Sequence, residues 1–144
     1  MTERLTVTGA DGRAKAYRPL PAATRAEAVR SGLEAYERGD FFEAHELLEP
    51  AWMGTDEPAE RAFLQGLIKL AAAYVHDVRG NPAGIAKNLE GARARLREAG
   101  PISPTPGRID GERLVAAIDL RLADLAAHAS GPTLGPPTLH RSPG

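Results

Sequence analysis

A chain of 144 residues with 42 % hydrophobic and 26 % charged side chains has the size and make-up of one domain around one core. It contains no cysteine, which excludes a disulfide framework, a thiolate zinc site and a cysteine nucleophile together. Its net charge of −1 excludes a whole-molecule field that would draw it to nucleic acid or to an anionic membrane.

Residues 1–23 read as an N-terminal arm. Its opening, Met1 to Leu5, lacks the apolar run of a secretory leader, so the cytoplasm is the expected location. Asp11-Gly12 offers a hairpin turn between weakly alternating flanks, and Pro19 and Pro21 set the exit of the arm. A first helix is expected over about 25–38, with Thr24 and Glu27 as a capping box and Gly39 as its left-handed stop. Asp40 caps a second helix over 41–53 with Glu43 as its box partner. Pro50 inside that helix removes one backbone bond and predicts a kink or an early end. A third helix starts at Pro58, a favoured first-turn residue, and ends at Gly80. Asn81-Pro82 opens a fourth, which runs to Gly100. The longest apolar run, Leu70 to Val75, is far below the roughly 20 residues a membrane span needs.

Residues 101–109 carry three prolines and read as a linker. Asp110 caps a fifth helix over about 111–129, with Leu114, Ile118, Leu122 and Leu125 on one stripe. Residues 130–144 hold four prolines and little to bury, which predicts a flexible tail. The connections Gly39-Asp40 and Gly80-Asn81 leave room only for sharp reversals. The expected fold is therefore all-α: a compact bundle of about five helices over residues 24–129, built from antiparallel hairpins.

The chemistry concentrates in the second helix. His45, Glu49 and Trp52 are four and three residues apart and share one face, while Glu46 points about 100° away from His45. An imidazole and a carboxylate one turn apart can act as base and orienter, or as two of the ligands a metal needs. A third ligand would have to come from another helix. If the second and third helices reverse near residue 55, His45 lies level with Gln65 and Glu49 with Arg61. His76 then falls roughly 16 Å further along, out of reach of a shared ion. No metal or cofactor is therefore assigned. The structural alternative pairs Glu49 with Arg30 or Arg61, and His45 with Glu34 or Gln65, as satisfied polar groups. His76, near the C-terminal end of its helix, suits a capping or packing role.

Phe63, Leu67, Leu70 and Tyr74 line one side of the third helix as core or as an oligomer seam, and Gly66 in mid-helix predicts a close neighbour. Residues 24–60 hold ten acidic and three basic side chains, whereas residues 61–100 hold three acidic and seven basic. This asymmetry suits attraction between the two halves better than nucleic-acid binding, for which interleaved aromatics are missing.

The run Gly39-Asp40-Phe41-Phe42-Glu43-Ala44-His45-Glu46-Leu47-Leu48-Glu49, followed by Trp52, Phe63-Leu64-Gln65-Gly66-Leu67-Ile68, His76 and Gly80-Asn81, resembles the domain-of-unknown-function family 309 over about residues 30–98. The resemblance implies a compact, bacterial-type helical domain and brings no activity, substrate or cofactor. It implies shared positions at His45, Glu46, Glu49, Trp52 and Gln65. The chain departs from the family pattern at Lys69, usually glutamine, and at Gly84-Ile85, usually Gly-Ala. Two functional readings stay open. One is a binding or assembly module, with a homodimer through the third helix or the second-helix face among its forms. The other is a small hydrolase-like or metal-dependent enzyme using His45 and Glu49, with Gln65, Trp52 and Glu46 as ligand-binding residues.

Overall fold

The computed structural model describes residues 6–8, 14–128 and 130–142. Strands β1 (Thr6–Thr8) and β2 (Ala14–Ala16) pair antiparallel with Thr6 opposite Ala16. The Asp11-Gly12 turn expected between them lies outside the described residues. Five α-helices follow: α1 (Ala22–Glu37), α2 (Phe41–Met53), α3 (Pro58–Val78), α4 (Pro82–Ala99) and α5 (Gly111–Ala127), with a 3-10 turn at Pro106–Arg108. The fold is an all-α bundle. No helix among the described residues is long and apolar enough to cross a membrane.

Most boundaries follow from local chemistry. Asp40, Asn81 and Asp110 cap α2, α4 and α5, each accepting the amide of the residue three positions on. Gly39 and Gly80 take φ of +84° and +67°, so each hairpin reverses within a few residues. The first boundary differs from expectation. α1 starts at Ala22, not after Thr24, and Pro21 precedes it without any side-chain cap. The arm explains this, because it is already tied to the end of α2. The Arg18 amide donates to Met53 O at 2.8 Å and the Leu20 amide to Gly54 O at 3.1 Å. These bonds serve carbonyls left open beyond the last turn of α2. α2 itself runs on through Pro50 and stops one turn later.

Helix α3 packs on both α2 and α4, α1 packs on α2, and α5 on α4. The core is drawn from all five, with Leu33, Leu48, Leu64, Leu70, Leu89 and Ile118 almost wholly enclosed. Phe63, Leu67, Leu70 and Tyr74 are buried within the chain, so this stripe is core and is not free to serve as a homodimer seam. Two glycines bring the hairpin helices close together. A Cβ on Gly32 would lie 2.6 Å from Leu48 Cγ, and one on Gly66 2.9 Å from Leu96 Cγ. The neighbour expected for Gly66 is thus Leu96 of α4.

The C-terminal segment departs from the expected flexible tail. Residues 130–142 fold back on the bundle and bury Pro137 and Leu139. The buried Tyr36 hydroxyl donates to Pro137 O at 2.7 Å, and the Asp110 amide donates to His140 O at 2.8 Å. Proline richness removes amide donors but leaves carbonyls and apolar rings, and the bundle uses both. Burial pushes the Tyr36 and Tyr74 hydroxyls up, that of Tyr74 to about 12.

Candidate functional site

The stripe of α2 that carries His45, Glu49 and Trp52 faces the outer side of α3. There it borders an open pocket of about 260 Å³ that Gln65, Ile68 and Lys69 line from α3. Asn88 closes the far side from α4. The level match expected between His45 and Gln65 is present. Glu46 and His76 do not line the pocket. Glu46 stays exposed on the flank of α2, with an oxygen 3.5 Å from His45 Nδ1, too long for a well-formed hydrogen bond.

Neither arginine expected to hold Glu49 does so. Arg30 pairs with Glu27 and, at 2.8 Å, with Glu34. Arg61 donates to the carbonyls of Trp52 and Thr55, both at 3.0 Å, and its guanidinium lies 4.4 Å from the centroid of the Trp52 ring. The physical reason is its position. Arg61 sits in the first turn of α3, level with the end of α2, where carbonyls without intrahelical partners need donors more than an outward carboxylate does. Burial lowers the pKa of this guanidinium from its ordinary value. Sequence reasoning missed this clamp. Its signal was a basic residue one turn after the α2–α3 loop and nine positions beyond a tryptophan.

Glu49 is left half-buried at the pocket with no hydrogen bond or ion pair among the described residues, and no bond joins it to His45. The pairings expected of His45 with Gln65 or Glu34 are not made as hydrogen bonds either, although Gln65 shares the pocket. The Trp52 indole N–H is buried without a partner, so it cannot serve a ligand unless the ring moves. Lys69 runs its stem past Gly91 of α4, where a Cβ would lie 2.9 Å from Lys69 Cδ.

His76 takes the packing role foreseen for it. Its ring lies over Gly84, where a Cβ would come within 2.6 Å of Nδ1, and Asn81 Nδ2 is 3.2 Å from the same nitrogen. Gly84, the glycine of the pair that reads Gly84-Ile85 here, is therefore the floor on which this histidine rests. Among the described residues no three His, Asp or Glu side chains are grouped as metal ligands.

Comparison with known proteins matches residues 29–88 to the family described as Domain of unknown function (DUF309). The chain is also 36 % identical over 67 residues to the uncharacterized protein YpuF of Bacillus subtilis (strain 168). That match covers 46 % of this chain and 38 % of YpuF, so the chain spans well under two thirds of this relative's own length. No solved structure matches the chain significantly. Neither name carries an activity, and nothing in the comparisons supports an enzyme. His45, Glu49, Trp52, Gln65, Lys69 and Asn88 all fall inside the matched segment, so these pocket residues lie within the part of the chain that is similar to DUF309.

Proposed function

We propose that this domain is a binding module, and that the pocket between α2 and α3 receives one basic side chain, arginine or lysine, from a partner protein. The observation that carries the reading is Glu49: a half-buried carboxylate on the pocket wall that neither Arg30 nor Arg61 holds, while Lys69 of the same wall runs towards Gly91 of α4. A carboxylate so placed gains most from a charged donor brought to it. Gln65 and Asn88 add neutral acceptors beside it. The volume of about 260 Å³ falls below the roughly 300–1,000 Å³ of small-molecule sites and fits a single anchor residue. Phe42, 61 % exposed and three residues before His45 on the same helix, offers a partner an apolar group outside the pocket lining. The acid-rich stretch 24–60 favours a basic partner over a greater distance.

The enzymatic alternative draws less support. His45 has no carboxylate within a well-formed hydrogen bond, so none among the described residues fixes its ring for general-base work. Titration of the protein with N-acetyl-arginine amide, followed by Trp52 fluorescence, tests the proposal. A saturable response in the millimolar range is expected, with the citrulline analogue, alike in shape but uncharged, at least tenfold weaker. Equal responses from the two probes, or an arginine response unchanged in Glu49→Gln, would refute it. Zinc or manganese saturating the same signal in wild type but not in His45→Ala would favour the metal-dependent reading instead.

A further inference from the structure

The segment between α4 and α5, which reads as a proline-rich linker in the sequence, borders a cavity of about 720 Å³, large enough for a small organic ligand. Its wall is apolar. Phe63, Leu96 and Ile109 are buried residues along it, and Val115 is half-buried at its edge. Gly111 keeps that wall open, since a Cβ there would stand 3.2 Å from the Phe63 ring.

The charged groups at the rim differ in how far they are committed. Asp110 accepts the Arg113 amide at 3.1 Å, and Arg97 lies 3.5 Å from the Asp119 carboxylate. Arg25, Arg30, Arg93, Arg95 and Arg141 each hold a glutamate or aspartate elsewhere on the surface. Arg108 holds none: among the described residues its guanidinium has no hydrogen-bond or ion-pair partner. Its backbone, in contrast, is fixed on both sides. The Arg108 amide donates to Thr105 O, and the Ser142 amide donates to Arg108 O, each at 2.9 Å. The residue is held at φ +58°, a conformation that suits glycine and disfavours arginine. A fixed backbone thus holds an uncommitted planar cation on the lining of this cavity and of the neighbouring one beside Arg25 and Glu60.

We propose that this cavity binds a small molecule carrying a single carboxylate on an apolar body. The carboxylate pairs with Arg108, whose fork of donors matches it, and the body lies against Phe63, Ile109 and Val115. One negative charge is favoured over two because Arg108 is the uncommitted cation at the rim, and Glu112 on the same rim repels a second.

The test titrates the whole chain with octanoate and, separately, with octanol, and follows backbone amide resonances by NMR. Octanoate should shift Ile109, Gly111 and Val115 saturably, and octanol should bind at least tenfold more weakly. Arg108→Gly, which suits the positive φ and leaves the fold intact, should remove the preference for octanoate. Val115→Trp, which fills the cavity and keeps Arg108, should weaken both probes. Glu112→Gln should tighten octanoate severalfold. Equal binding of the two probes, no binding of either, a preference that survives Arg108→Gly, or shifts confined to the His45 pocket would each overturn the proposal.

Discussion

Gly66→Ala probes the close approach of α3 to α4. Alanine at this mid-helix position gains about 1 kcal/mol in helix propensity over glycine. The new methyl would lie 2.9 Å from Leu96 Cγ, 3.0 Å from Leu96 Cδ2 and 3.2 Å from the carbonyl oxygen of Ala92. The first of these atoms is a branch carbon and the last is backbone, so neither can swing aside as a flexible side-chain tip would. Overpacking of this kind costs about 1–3 kcal/mol. The balance is a net loss of about 1 kcal/mol, or roughly 4 °C in melting temperature for a domain of this size. Leu96→Ala alone should cost about 2–5 kcal/mol, because Leu96 is buried. In that background the methyl at 66 enters vacated space and its propensity gain survives, so Gly66→Ala turns from destabilising to stabilising. Urea unfolding of the four proteins measures the coupling, expected at about 2 kcal/mol. Gly66→Ala stabilising the parent protein, or the two effects adding to within about 0.5 kcal/mol, would refute the reasoning.

Arg61→Lys should destabilise by about 1–2 kcal/mol and alter Trp52 fluorescence, because lysine cannot serve two carbonyls and lie over the indole at once; an unchanged emission spectrum would count against the clamp. Tyr36→Phe should cost about 1 kcal/mol and speed amide exchange in residues 138–142, read by hydrogen exchange and mass spectrometry, since it deletes the bond to Pro137 O. The Thr133 hydroxyl, then the Leu134 and Thr133 amides, and lastly His128, hold the Asp124 carboxyl at about 2, below its ordinary 3.8. A depressed pKa of this sign gives stability that is complete above pH 3.8 and lost as the pH falls towards 2. Exchange at the Thr133 and Leu134 amides should therefore quicken across that window while α3 stays protected, and protection unchanged at pH 2 would contradict it.

The helices and their reversals were legible in the sequence because their signals are local. Asp40, Asn81 and Asp110 do what capping residues do, and Gly39 and Gly80 do what left-handed stops do. The start of α1 was misplaced because its determinant is distant: the arm is tied to Met53 and Gly54, and no local pattern encodes that. Axial counting brought His45 and Gln65 together because a tight hairpin fixes level. It failed for Glu49 and Arg61 because level says nothing about where a long side chain turns, and the carbonyls at the end of α2 drew the guanidinium away. Residues 130–142 were misread because composition reports the donors a proline segment lacks and not the surface waiting to be covered.

The Tyr36–Pro137 bond has a consequence for the order of assembly. Its partners are 101 positions apart, so a growing polypeptide can wind α1 to α4 and pair them by short-range contacts long before the covering strip has been translated. Until then the phenol and the cluster it forms with Phe41 and Tyr74, ring centroids 5.4 and 5.6 Å apart, stand open to chaperones or to other nascent chains. Shutting that aromatic window has to wait for residues 130–142, and a chain cut before them would keep a helical body with its window still open.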